Sequence, residues 1–167
     1  EIVGVMTDAH GLYPRLTARE HIKYFAQLRK LDKSTTHRRT AQLIEQLAME
    51  EIADRRAEGY SQGEKMKVCL ARSLVHDPQN IIMDEPTNGL DVMTTRSVRT
   101  ILQDLKQQNK CILLSSHIMQ EISALCDEVI VISDGKVLMQ GGLDALLAQT
   151  GESDLEEAFM SLTRSSK

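Results

Sequence analysis

Two carboxylates, Asp84 and Glu85, stand side by side at the end of an apolar run in the stretch NIIMDEPTNGLD, residues 80–91. Ile81, Ile82 and Met83 lead into them, and Pro86 ends any strand because it has no N–H for a sheet ladder. Thr87, Asn88 and Gly89 are turn residues, and Asp91 closes the segment. An apolar run this short, bounded by turn residues, predicts a strand buried on both faces, with the acids at its C-terminal tip. In open α/β sheets that tip is where ligands bind. Successive strand residues point to opposite sides, so the two acids can take different roles. One can hold a Mg²⁺ ion, mostly through water, while the other orients or deprotonates a water that attacks a phosphate. The competing reading is a strand end carrying two solvated acids.

The elements that must position this tip are legible in order. Residues 1–6, EIVGVM, read as a short buried strand, followed by a polar loop over 7–11. Thr17 and Glu20 have capping-box spacing, and Ile22, Phe25, Ala26 and Leu28 mark the apolar face of the helix that follows. After a polar break at 32–36, a second helix is expected from Thr36 to Met49, with Leu43, Ile44, Leu47 and Ala48 inward. Ser61 and Glu64 form a second capping box, opening a helix that ends near His76 with Met66, Cys69, Leu70, Ser73 and Leu74 inward. The carboxylate strand comes next. A helix over 92–109 follows, with Val98, Ile101, Leu102 and Leu105 inward, and then a buried strand, 111–114, ending in Ser115, Ser116 and His117. A short helix over 119–126 leads to a hairpin over 127–140 around Asp134-Gly135, and two short helices close the chain, the second capped by Ser153. This alternation predicts an α/β fold, a mostly parallel sheet flanked by helices, with the hairpin adding antiparallel strands at an edge. The largely helical stretch after Leu12 looks like a subdomain inserted between two strands.

Composition sets the outer bounds. A chain of 167 residues with 26% charged and 41% hydrophobic residues describes one soluble globular domain. The net charge of -4 lacks the basic signature of nucleic-acid binding, and no apolar run approaches the ~20 residues that span a bilayer. The first residue is Glu, so the chain reads as a fragment or a processed piece. Cys69, Cys111 and Cys126 have no metal-site spacing, lie in apolar contexts and read as small core residues.

The order of these motifs resembles the nucleotide-binding subunit of an ABC transporter, over essentially the whole chain. Tyr60-Ser61-Gln62-Gly63-Glu64 corresponds to that family's LSGGQ signature. Ile81–Asp84 corresponds to Walker B, Glu85 to the catalytic glutamate, Gly89–Asp91 to the D-loop and His117 to the switch histidine. GLYPRLTAREHI, at 11–22, and DLEEAFMSLT, at 154–163, are similar to the subfamily that exports small ions or drugs, the sodium-extruding type in particular. The resemblance implies a P-loop NTPase fold of the ABC-cassette kind. Its helical subdomain would span 12–75, its catalytic core 1–11 and 76–141, and its C-terminal helices 142–167.

Roles follow from the same resemblance. Glu85 and His117 would be catalytic, and Asp84 would hold Mg²⁺. Ser61, Gln62, Gly63 and Glu64 would meet the γ-phosphate of ATP bound to a partner cassette, since a helix N-terminus presents unpaired N–H groups to an anion. Asp91 would be a cross-dimer contact, or merely the cap of the next helix. The family's Q-loop glutamine is replaced by Asp8, which could take a metal-bound water or serve as a turn residue. The implied partners are a transmembrane permease subunit and a second nucleotide-binding subunit, with no nucleic acid. The implied location is the cytoplasmic face of the membrane, as a peripheral subunit.

One departure is large. No G-x-x-x-x-G-K-[ST] occurs in the chain. In the family that loop precedes the first strand and grips the phosphates, so the chain reads as beginning after it. These residues alone are therefore expected not to hydrolyse ATP, and the sheet is expected to leave apolar faces uncovered. A degenerate regulatory cassette, or a non-transport ABC ATPase acting on ribosomes or DNA, are the alternatives.

Overall fold

The structure, a computed structural model, describes residues 3–7 and 11–164. The chain forms two compact units that divide between Ser115 and Ser116. The expected division placed 116–141 with the catalytic core; here that stretch belongs with the C-terminal helices, because it closes an apolar core with them.

The first unit contains β1 (Val3–Met6), α1 (Ala18–Leu28), α2 (Lys33–Gln46), a 3-10 turn (Ala57–Gly59), α3 (Gln62–Leu74), β2 (Asn80–Asp84), α4 (Val92–Gln107) and β3 (Cys111–Ser115). The three strands form a parallel sheet in the order β1-β2-β3, as the alternation of elements predicts. Met6 pairs with Met83 and Asp84 with Ser115, so the strand tips are aligned. One face of β1 and β2 is packed: Met6, Ile81 and Met83 are at most 2% exposed, each contributing about 1.5–3 kcal/mol by burial. The helix α3 runs close against β1, where a Cβ on Gly4 would fall 2.6 Å from the Ser73 carbonyl oxygen.

The other face is not packed. Val5, Ile82 and Leu113 are register partners across the sheet and are 49%, 42% and 58% exposed. An uncovered apolar face was expected, and this is where it lies. It also corrects two readings: β2 is buried on one face only, and Cys111, on β3, is exposed rather than a core residue. Cys69 is buried as expected, and burial pushes its thiol up to about 11.

Both expected capping boxes form, at Thr17 and Ser61. The second helix begins earlier than its apolar pattern suggests, because the Asp32 carboxylate accepts from the Thr35 N–H at 2.9 Å and the Thr35 hydroxyl at 2.6 Å. It stops before Ala48, which turns left-handed at φ 47°. On α1 it is His21 that is buried and Leu28 that is exposed. Arg39, on α2, is partly buried. Its guanidinium donates to the carbonyls of Leu74 (2.7 Å) and Val75 (3.2 Å), tying α2 to the end of α3.

The second unit holds α5 (Met119–Leu125), β4 (Val129–Ser133), β5 (Lys136–Gly141), α6 (Leu143–Thr150) and α7 (Leu155–Arg164). Ile122, Val131, Met139, Leu146, Leu155 and Ala158 form its core. The hairpin turns at Asp134 and Gly135, both at positive φ, as its Asp-Gly pair predicts. It is a sheet of its own rather than an edge of the parallel sheet. The cap of α7 is Asp154, not Ser153: its carboxylate accepts from the Glu156 N–H at 2.6 Å and the Glu157 N–H at 3.2 Å. Among the described residues, no helix is long and apolar enough to cross a membrane.

Candidate functional site

The strand β2 ends at Asp84, which is exposed. Glu85 leaves the strand at once, with φ 46°, a left-handed conformation that is costly for a side chain bearing Cβ. Strand alternation therefore does not set the direction of the Glu85 side chain, contrary to the expectation; the backbone turn does. Two hydrogen bonds hold that turn. The Ser115 hydroxyl donates to Asp84 Oδ1 at 2.7 Å and accepts from the Glu85 N–H at 3.0 Å. Ser115 thus holds the Asp84 carboxylate and the Glu85 backbone, a role that the spacing of the motifs does not reveal. The chain then folds back through Asn88 N–H to Glu85 O and Leu90 N–H to Thr87 O, at 3.1 and 3.2 Å.

Asp91 caps α4. Its Oδ1 accepts from the Met93 and Thr94 N–H groups at 2.9 and 3.0 Å, and its Oδ2 from the Thr94 hydroxyl at 2.6 Å. The Thr94 hydroxyl, followed by the backbone donors, holds the Asp91 carboxyl below its ordinary range.

The same Thr94 meets the signature stretch. A Cβ on Gly63 would lie 2.8 Å from Thr94 Cγ2 and 3.2 Å from its Oγ1. Only glycine lets the N-terminus of α3 sit this close to the N-terminus of α4, so the first turns of both helices lie beside each other.

At the start of α3, Ser61 Oγ accepts from the Glu64 N–H at 3.3 Å, and Glu64 Oε2 accepts from the Ser61 N–H at 2.7 Å. Arg55 donates to the same Glu64 oxygen at 2.5 Å. The hydrogen bond from Ser61 and the pairing with Arg55 outweigh desolvation and hold the Glu64 carboxyl low. A negative charge at a helix N-terminus works against an anion there; Arg55 offsets it. Arg55 and Thr94 are site neighbours that sequence reasoning missed, because neither is set by local spacing. Ser61 and Gln62 are exposed at the end of α3.

Two further expected site residues are His117 and Asp8. His117 lies in the second unit, exposed, two residues before α5. Asp8 lies outside the described residues.

No cluster of three or more His, Cys, Asp or Glu side chains that could hold a metal occurs among the described residues. The chemistry of Asp84 still fits Mg²⁺, which commonly takes one or two carboxylates and completes its shell with water and substrate phosphates.

A family profile described as ABC transporter matches residues 1–88, more than half of the 167-residue chain. This chain belongs to the ABC transporter family. The matched residues carry β1, the three helices α1–α3, and β2 with its two carboxylates. The chain is 43% identical over 160 residues to the ABC transporter ATP-binding protein NatA of Bacillus subtilis, covering 95% of this chain and 65% of that protein. It is 34% identical over 157 residues to the Nod factor export ATP-binding protein I of Ralstonia nicotianae, covering 94% and 49%. A solved structure of the ATP-binding subunit of an ABC transporter superposes with a TM-score of 0.85 at 28% identity, covering 96% of this chain and 68% of that one. The chain thus spans 65% and 49% of the lengths of these two curated relatives.

Proposed function

We propose that the intact protein is the ATP-hydrolysing subunit of an ABC exporter. The observation that carries this is the β2 tip, where Ser115 holds Asp84 and the Glu85 backbone in place. In this reading Glu85 takes a proton from a water as that water attacks the γ-phosphorus. The bond from the γ-phosphorus to the bridging oxygen breaks, and ADP leaves with that oxygen. Asp84 would hold the Mg²⁺ that neutralises charge on the phosphate oxygens. The phosphate grip of a G-x-x-x-x-G-K-[ST] loop is absent from these residues and has to come from elsewhere in the intact protein.

Ser61, Gln62, Gly63 and Glu64 would present the α3 N-terminus to ATP held by a second cassette, with Asp91 beside that contact and His117 as the switch at the γ-phosphate. Asp8 would take a metal-bound water. Residues 12–75, with Asp8, would dock a transmembrane permease, placing the subunit at the cytoplasmic face. The proposed cargo is a small ion, sodium first, or a drug-like molecule. The export named for the Nod factor relative supports the direction.

The test is ATP-dependent association. Glu85→Gln in the intact protein is expected to accumulate as an ATP-bound dimer on size exclusion, and adding Ser61→Arg is expected to abolish that dimer. A Glu85→Gln protein that stays monomeric at saturating ATP would contradict the reading.

A further inference from the structure

Tyr60, the residue before the Ser61 cap, is 5% exposed. Its hydroxyl stands at a three-way junction. It lies 3.0 Å from the Ala18 N–H, 2.8 Å from the Ile52 carbonyl oxygen and 2.6 Å from the Arg55 carbonyl oxygen. A phenol has one proton to donate, so it accepts from Ala18 and gives its proton to one carbonyl at a time. The Ala18 N–H is the first of α1, one of the donors a helix start leaves without an intrahelical partner. Thr17 caps the Glu20 N–H instead. The start of α1 is therefore completed by a residue 42 positions away.

The junction is not isolated. The Arg19 N–H donates to Ala53 O at 3.0 Å, Ala57 N–H to Leu16 O at 2.9 Å and Glu58 N–H to Pro14 O at 3.0 Å. Arg19 also forms a two-point ion pair with Asp54, at 2.8 and 2.9 Å. Segment 14–19 is zipped to segment 53–58, and Tyr60 closes the zip directly against the signature serine. At its other end the strip carries a surface of rings. Tyr13 stacks on buried His21 at 5.9 Å and meets Tyr24 edge-on at 5.8 Å. The His21 Nε2 accepts from the Tyr13 N–H at 2.9 Å. Tyr13 and Tyr24 are 49% and 39% exposed.

We infer that the Tyr60 hydroxyl is a positioning group that makes the Tyr13–Tyr24 surface and the Ser61 end of α3 move as one piece, so that a load on the rings is felt at the signature. This rests on the reading of residues 12–75 as the permease-docking part. A phenylalanine or leucine at position 60 would fill the same apolar space without joining α1 to the signature.

The test uses the intact protein, wild type and Tyr60→Phe, alone and assembled with its transmembrane subunit in nanodiscs. Amide hydrogen exchange at Gln62–Glu64 is read in each state, and ATPase is read in parallel. Assembly is expected to slow exchange at these amides in the wild type. In Tyr60→Phe the slowing is expected to fall by about fivefold, the equilibrium factor of one hydrogen bond, and the assembled-to-free ATPase ratio to fall with it. Arg19→Ala, which cuts an exposed tie of the same zip, is expected to change both in the same direction by less. A purely structural role would scale the free and assembled states alike; an unchanged ratio in both readouts overturns the inference. If the exchange result holds while the wild type shows no Glu85-dependent hydrolysis, the ATPase reading fails and the coupling stands.

Discussion

Gly63→Ala tests the packing that brings the signature stretch beside the D-loop. The new Cβ would fall 2.8 Å from Thr94 Cγ2 and 3.2 Å from Thr94 Oγ1, against a normal carbon–carbon contact of about 3.5–4.0 Å. Thr94 is not free to swing away, since its hydroxyl is bonded to Asp91 Oδ2 at 2.6 Å. Overpacking of this kind costs about 1–3 kcal/mol, while replacing a helical glycine by alanine returns about 1 kcal/mol. The net loss for Gly63→Ala is expected near 1 kcal/mol. Thr94→Ser removes Cγ2 but keeps the hydroxyl and the Asp91 bond, so it alone should cost little. In the double variant the closer contact, to Cγ2, is gone, the 3.2 Å contact to the hydroxyl remains, and the helix gain is kept. Urea unfolding of the four proteins, followed by circular dichroism, is expected to give a favourable coupling of about 1–2 kcal/mol. Additivity within ~0.5 kcal/mol would mean that the two helix ends do not touch as described.

Other consequences can be measured alongside. Ser115→Ala removes one hydrogen bond to a carboxylate and one from a backbone N–H; at this exposed site, the loss is expected near 1 kcal/mol of stability and about tenfold in ATPase rate, with Ser115→Thr restoring most of both. Arg39→Ala leaves the end of α3 without its side-chain donors and is expected to cost about 2–3 kcal/mol in urea unfolding, more than an exposed arginine would. Burial holds the His21 imidazole below its ordinary 6.5, and its Nε2 is occupied as an acceptor. The unfolded chain takes up that proton first, so stability is full above pH 6.5, falls as pH drops below it and levels off beneath the folded-state value. His21→Gln should reduce that slope in unfolding titrations without abolishing it, because burial lowers His76 in the same way.

What was legible in the sequence was local. The capping boxes at Thr17 and Ser61 act over three residues, and the Asp134-Gly135 turn over two; each formed where its spacing placed it. The strand tip with Asp84 and Glu85 was legible because an apolar run stopped by proline admits few alternatives. What was missed depends on register or on contact between distant segments. Ser115 reaches Asp84 only because β3 pairs with β2 in one particular register, and nothing in either strand's own pattern states it. Gly63 is also required by its contact with Thr94, 31 positions away, which the signature spacing does not reveal. His21 and Arg39 are of types that are usually exposed, yet one finds two backbone partners and the other caps a neighbouring helix. The two-unit division followed from a closed apolar core around α5–α7 that no single element reveals.

The most direct measurement is the steady-state ATPase rate of the intact protein with Mg²⁺, wild type against Glu85→Gln, with ATP affinity measured in parallel. A general base of this kind contributes about 10²–10⁴-fold. The account predicts a fall of that size with ATP still bound. Hydrolysis that persists at the wild-type rate in Glu85→Gln would contradict it.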